Sequence, residues 1–306
     1  MKQKKIMILR DPKTVFILFI SLLLVCCKTK SREIKIVKGE NYELKISNNQ
    51  KAVLILFPCF PCDIENTKTE AKFLKDIEKE GVTTLLLNHN QKLYLTESEK
   101  IEYAKKLNDI FGENKIEKKN IYIGGFSSGG NVSVVLSNFL LKTKNTIQPK
   151  GVFVVDSPLD LEKLYLNAKE DIKRNMDKDA IEEGLFIVDL LDKEFGELSK
   201  NKKKYEEFSP YLIFSNSTSN IYYLKDVKTR FYFELDLKDT FKETGRKYND
   251  LNAYHLERAN KALQSLGSKK YETIITKNRG YRANGDRNTH SWNIVERQSL
   301  LRWINE

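Results

Sequence analysis

Histidine, cysteine and proline are scarce in this chain, and each shortage excludes something. The 306 residues carry three histidines, His89, His255 and His290, so chemistry that needs an imidazole has three places to look. Of the four cysteines, Cys26 and Cys27 are adjacent, and Cys59 and Cys62 form one C-x-x-C. No second cysteine or histidine pair completes a tetrahedral set, which argues against a metal site. Six prolines, no internal repeat and no low-complexity run leave nothing to divide the chain with a linker. The apolar run Val15 to Val25 is 11 residues long, too short for a bilayer span of about 20. Acidic residues are outnumbered 42 to 53, a net charge of +11, but the excess is spread widely, for instance over Lys200 to Lys204. Nothing interleaves it with aromatics as a nucleic-acid groove would, so no nucleic-acid partner is expected. It reads as a solvated face, compatible with contact to an anionic membrane surface.

The first 30 residues read as an address. Lys2, Lys4, Lys5, Arg10 and Lys13 precede the apolar run, as in a signal peptide, and Cys26 and Cys27 follow it directly. Leu24-Val25-Cys26-Cys27 resembles a bacterial lipobox, with an aliphatic residue three before the acceptor and a small one just before it. Cys27 is the better acceptor, because Cys26 is smaller than Val25 in the preceding place. The pattern departs from the usual one in having Cys26 where Gly, Ala or Ser is common. The expectation is a lipoprotein signal peptide over 1–26, lipid on Cys27, and a domain over 27–306 held outside the cytoplasm on a bacterial membrane. An uncleaved anchor is the other reading. Removing residues 1–26 takes away five basic residues and Asp11, which lowers the net charge from +11 to +7. What remains is long enough for one large core.

Short apolar runs alternate with helical periodicity. Strands are expected at Glu33–Val37, Tyr42–Ile46, Ala52–Phe57, Val82–Leu87, Asn120–Gly124, Gly151–Val155, Thr229–Leu235 and Thr273–Thr276. Most from the third onward are continuously apolar, as strands covered on both faces of a parallel sheet are. The first two alternate, which suits an exposed antiparallel edge. Ile101, Ala104, Leu107 and Phe111 recur at helical spacing, as do Leu251, Tyr254, Ala259, Leu263 and Leu266 before Gly267. A last helix is expected from Ser291 as N-cap. Between about 157 and 228 lies helical pattern without a clear strand. The class is α/β, a mostly parallel central sheet flanked by helices.

Gly125-Phe126-Ser127-Ser128-Gly129 sits between the run Ile121-Tyr122-Ile123 and a helical pattern. A serine at the apex of a sharp strand-to-helix turn displays its hydroxyl where few backbones can, and the glycines let strand and helix approach. The amide of Ser128 opens the helix beside that hydroxyl. A Walker-type phosphate loop is excluded, since Gly130 is followed by Asn131 rather than Lys-Ser/Thr, and the dinucleotide glycine spacing does not fit. A plain glycine-rich turn without chemistry is the remaining alternative.

These residues resemble the nucleophile elbow of the α/β-hydrolase superfamily, and the resemblance covers roughly residues 50–306 in element order. It implies an α/β-hydrolase fold with a helical cap inserted about 157–228, and a serine hydrolase cleaving an ester or other acyl bond in a small-molecule or peptide-like substrate. No cofactor is needed. Ser127 becomes the nucleophile. His290, on the loop between the last strand and the last helix, takes the place of the catalytic base. His255 falls inside a helix and reads as a surface residue, and His89 is a possible substrate contact. The acid should lie between serine and histidine in the chain. Asp236, at the end of Phe231-Tyr232-Phe233-Glu234-Leu235-Asp236, leads, with Asp239 and Asp156 as competitors. Ser128 and either Cys59 or Phe60 would supply oxyanion amides, since Pro58 and Pro61 have none. The His-Gly signature of that loop is missing. Arg279, Arg282 and Arg287 flank His290, as anion receivers or as a solvated loop.

Two rivals stand beside this reading. Strand, C-x-x-C, helix and strand over 52–87 also resembles a thioredoxin-like redox unit, which suits an oxidising compartment. Such a unit is complete in about 100 residues and leaves the serine turn and His290 unexplained. A disulfide between Cys59 and Cys62, stiffening the oxyanion loop, is preferred. The other rival is a catalytically silent hydrolase fold kept as a binding lipoprotein.

Overall fold

In the computed structural model, residues 34–89 and 92–306 are described. Cys26, Cys27, the signal segment and Glu33 lie outside them. Eight strands form one sheet: β1 (Lys35–Gly39), β2 (Tyr42–Ile46), β3 (Ala52–Phe57), β4 (Val82–Leu87), β5 (Ile121–Phe126), β6 (Pro149–Val155), β7 (Lys228–Glu234) and β8 (Tyr271–Thr276). Their spatial order is β1-β2-β4-β3-β5-β6-β7-β8. β1 pairs antiparallel with β2, and β2 antiparallel with β4. Every pairing from β4 to β8 is parallel.

The side-chain pattern explains this layout. Ala52 to Phe57, Val82 to Leu87 and Ile121 to Phe126 are buried throughout, because helices cover both faces of the central strands. β1 is mostly exposed and forms one edge, where its lysines keep the ladder soluble.

Nine α-helices join the strands among the described residues. They are α1 (Ile64–Glu70), α2 (Glu97–Glu113), α3 (Ser128–Lys142), α4 (Leu161–Arg174), α5 (Lys178–Phe195), α6 (Leu198–Phe208), α7 (Leu237–Thr244), α8 (Asn252–Ser265) and α9 (Arg297–Asn305). A capping box opens α2, with the Thr96 side chain accepting from the Glu99 amide and Glu99 reaching back to the amide of Thr96. Ala104, Leu107, Ile110 and Phe111 face the sheet from α2, whereas Ile101 stays in solvent. α3 is buried on nearly every side, as its Val-Ser-Val-Val-Leu run requires. Gly267, at φ +91°, stops the chain just beyond α8. Ser291 caps only a short 3-10 turn, Trp292–Ile294, and α9 begins at Arg297.

Between β6 and β7 the chain leaves the sheet and builds a helical cap from α4, α5 and α6. Asp160 caps α4 by accepting from the Lys163 amide, and Asp177 caps α5 by accepting from that of Ala180. Their apolar faces meet in a separate cluster of Leu161, Tyr165, Ala168, Ile187, Leu191 and Phe195, with Leu93 and Tyr94 packed beneath. Burying one such leucine stabilises the cap by about 1.5 to 3 kcal/mol. The cap is thus a small core of its own, seated over the carboxyl ends of the strands.

Candidate active site

Parallel register brings the chemistry to one edge. Phe126, the last residue of β5, lies opposite Val155, the last of β6. The next residue on each strand, Ser127 and Asp156, therefore emerges side by side, and the Ser127 amide donates to the Val155 carbonyl at 2.9 Å. Asp156 is held from the other side, its amide donating to the Tyr232 carbonyl of β7 at 2.8 Å.

Ser127 adopts φ +53°, ψ −125°, a conformation that L-residues rarely hold. The turn survives because its neighbours have no side chain. A Cβ on Gly125 would stand 2.1 Å from the Gly129 carbonyl oxygen, and one on Gly129 would stand 2.3 Å from those of Phe57 and Pro58. Helix α3 can start this close to β3 and β5 only with glycine at both positions. Ser128 is its first residue, so its N–H has no partner within the helix.

His290 reaches the same edge on the long loop after β8. Its Nδ1 lies 2.7 Å from Asp156 Oδ2. The ring packs against Phe126, with centroids 4.4 Å apart, and the His290 amide donates to Asn288 Oδ1. Glu234, the last residue of β7, organises the loop from below. Its buried carboxylate accepts from Thr276 Oγ1 (2.7 Å) and from the amides of Arg279 (3.0 Å) and Gly280 (3.2 Å), and Arg287 pairs with it at 2.5 Å. Burial alone would raise the Glu234 pKa, but these donors outweigh it and hold the group below the usual carboxylate range.

A cavity of about 290 Å³ joins these parts, with Ser127, Asp156 and His290 on its wall beside Phe60, Leu93 and Pro158. The cap supplies Leu164, Asn167 and Ala168 from α4 and Glu183, Phe186 and Ile187 from α5. Phe60 stacks on Phe186, centroids 4.7 Å apart, tying the loop after β3 to the cap. At the far end Arg246 is clamped by Asp171 (2.8 Å) and Glu183 (3.4 Å), and Asp250 pairs with Arg174 at 2.7 Å. Among the described residues, no group of three or more His, Cys, Asp or Glu side chains is placed to hold a metal ion.

No protein-family model and no curated protein matches the sequence. Solved structures do match in shape. MPT51 of Mycobacterium tuberculosis aligns with TM-score 0.54 at 10% identity, over 89% of this chain and 96% of its own. Carboxyl esterase 2 of the fungus Tuber melanosporum aligns with TM-score 0.54 at 14% identity, over 89% and 84%. An esterase of the bacterial hormone-sensitive lipase family aligns with TM-score 0.54 at 12% identity, over 97% and 91%. The fold is that of the α/β-hydrolases.

On this hydrolase fold, several residues sit where the sequence did not put them. The carboxylate on His290 is Asp156, not Asp236. β7 ends at Glu234 and the chain turns at once into α7, so Asp236 becomes the N-cap of that helix, its Oδ1 accepting a 3.4 Å bond from the Asp239 amide. Asp239 itself is exposed. Asp236 also lines the cavity, with Arg287 3.9 Å from its carboxylate. His89 is buried against Phe57, with Nε2 3.0 Å from the Lys92 carbonyl, and does not line the cavity that holds Ser127. His255 is no surface residue: it is 1% exposed and lies on the cavity wall. Arg287 is committed to Glu234 and to the Gly280 carbonyl, which leaves it a loop strut rather than an anion receiver.

Cys59 and Cys62 are joined in a disulfide, with Cα atoms 4.9 Å apart, and Phe60 lies within the loop it closes. The Cys62 amide donates to the Cys59 carbonyl at 2.8 Å. α1 starts after the pair, capped by Asp63. The C-x-x-C thus belongs to a loop of an eight-stranded sheet, not to a self-contained redox unit. Glu234, Arg246 and Asp171 gave no sequence signal, since each matters through partners more than 40 positions away.

Proposed function

We propose that the protein is a serine hydrolase that cleaves an ester or related acyl bond, with Ser127 as nucleophile, His290 as general base and Asp156 as the orienting acid. The observation that carries this reading is the 2.7 Å contact of His290 Nδ1 with Asp156, on the same cavity as a serine held at φ +53°. Esterases of the same fold among the structural neighbours support an acyl substrate.

The steps follow from the groups present. Asp156 accepts a hydrogen bond from the Nδ1–H of His290, which fixes the tautomer that leaves Nε2 unprotonated and basic. Ser127 Oγ attacks the acyl carbon while its proton passes to Nε2. The negative oxygen of the tetrahedral adduct is held by the Ser128 amide and an amide of the loop after β3, Cys59 or Phe60. His290 then protonates the leaving alcohol, which departs and leaves an acyl group on Ser127. Water attacks that acyl group, gives a proton to His290, and the serine recovers it as the acid leaves.

The enzyme would work outside the cytoplasm, tethered through lipid on Cys27. The basic region, the short apolar core and the cysteine immediately after it support that placement. Among the described residues no helix is long and apolar enough to cross a membrane.

A fluorophosphonate probe tests the catalytic reading. It should attach to Ser127, and Ser127→Ala should lose both the label and ester turnover while remaining folded. Undiminished turnover in that variant would sink the mechanism, and a folded wild type that neither labels nor turns over would favour a silent binding module.

A further inference from the structure

His255 is a buried group that the mechanism leaves unused. It lies in the first turn of α8, where Asn252, Ala253 and His255 all line the cavity. Its Nδ1 accepts a hydrogen bond from the Asp160 amide at 3.4 Å, which requires that nitrogen to be unprotonated. A neutral imidazole then carries its proton on Nε2. Burial keeps the ring neutral, its pKa pushed down to about 3, and the positive Lys163 nearby acts in the same direction. The Asp160 oxygens accept from the amides of Lys163 and Ile213, both at 2.8 Å, and neither is bonded to the ring.

Nε2 of His255 is buried and has no hydrogen-bond partner among the described residues. Three other donors on that wall are engaged. Asn167 donates to the Asp250 carbonyl, Asn252 donates to that of Asp156, and Arg246 is clamped between two carboxylates. A buried donor without an acceptor is uncommon in folded proteins and calls for a partner, and this one belongs to a side chain on the cavity wall.

The surroundings decide what that partner is. Asp171, Glu183, Glu234, Asp236 and Asp250 line the cavity against a single arginine, Arg246, so the wall disfavours an anion. Leu164, Ala168 and Ile187 make the adjoining wall apolar, which strengthens a neutral hydrogen bond by excluding water. We propose that His255 is a specificity residue whose Nε2–H donates to an uncharged oxygen, a ketone, ether or hydroxyl, on the part of the substrate lying under the cap. This rests on the acyl-hydrolase reading and names the substrate feature that the site selects.

The test uses matched esters with and without that oxygen: p-nitrophenyl hexanoate against p-nitrophenyl 5-oxohexanoate, and pentyl hexanoate against 4-oxopentyl hexanoate. In at least one pair the wild type should prefer the oxygen-bearing ester by about tenfold in kcat/KM, carried mainly by KM, as one neutral hydrogen bond provides. His255→Leu should bring the two members of that pair within about twofold, and His255→Gln, which retains an N–H near the same place, should restore part of the preference. No preference in either pair, or a preference that survives in His255→Leu, overturns the proposal while leaving the serine mechanism standing. Should none of the esters be turned over, the hydrolase reading fails first. A second measurement then still decides the residue: ¹⁵N NMR of the wild-type ring should show the Nε2–H tautomer between pH 6 and 8, and an Nδ1–H ring would refute the donor role.

Discussion

Replacing Asp156 by asparagine, set against the same change at Asp236, separates two places for the acid. The amide in Asp156→Asn keeps the size of the side chain but turns an acceptor-only group into one that can donate, so the bond to His290 Nδ1 would favour a proton on Nε2. The base would then face Ser127 in the wrong tautomer, and the imidazolium formed during attack would lose the negative charge now 2.7 Å away. Losses of about 10³ to 10⁴ in kcat are expected from such a change, or about 4 to 5.5 kcal/mol of transition-state stabilisation. Asp236→Asn has far less to remove. It weakens a 3.4 Å capping bond on a short helix and a 3.9 Å approach to Arg287, on a side chain 37% exposed. Less than about 1 kcal/mol of stability and no more than a few-fold in rate should be lost. Steady-state kinetics on an activated ester, with melting curves to show that both variants are folded, provide the comparison. Equal losses in the two variants, or more than a tenth of wild-type kcat in Asp156→Asn, would refute the assignment.

Three further outcomes follow from the packing and the buried groups. Gly129→Ala should destabilise the protein by about 1 to 3 kcal/mol and cut esterase activity sharply, because the new Cβ meets two backbone oxygens at 2.3 Å that cannot swing aside; an unchanged melting temperature with full activity would contradict the elbow geometry. Unfolding free energy should fall by about 2 to 3 kcal/mol between pH 8 and pH 5, since His255 and His89 have folded pKa values near 3 and 4, below their unfolded values. Their contribution is complete above about pH 6.5 and is lost as pH falls, while buried Asp160, raised to about 6, offsets part of the loss by taking up a proton; urea titrations showing equal or greater stability at pH 5 would refute this. Replacing Cys59 and Cys62 together by serine should cost up to about 2 kcal/mol, the loop-entropy value for so short a ring, and leave substantial turnover; activity that instead depends on cycling the pair with a dithiol would favour redox chemistry.

Much of this was legible in the sequence. Ala52–Phe57 and Val82–Leu87 are strands of the sheet with the bounds expected, and the strand expected at Asn120–Gly124 runs from Ile121 to Phe126. The serine turn was legible because its demands are local: a strained residue and glycines at fixed offsets, all within seven positions. His290 was legible because histidines are few and the superfamily resemblance gives that loop a role.

What the tertiary structure decided concerns distance across the chain. Asp156 and Asp236 each follow an apolar strand, and no local rule separates them. The choice fell to the register that sets Val155 beside Phe126, and to the helix that begins immediately after β7 and takes Asp236 as its cap. His255 was read as a surface residue although it shares its helix face with Ala259 and Leu263, four and eight positions on, and α8 buries that face. What the helix pattern did not show is the partner of its ring, an amide 95 positions earlier. Local periodicity records which face of an element is greasy, whereas the partner that a distant segment brings to a residue leaves no mark on the sequence around it.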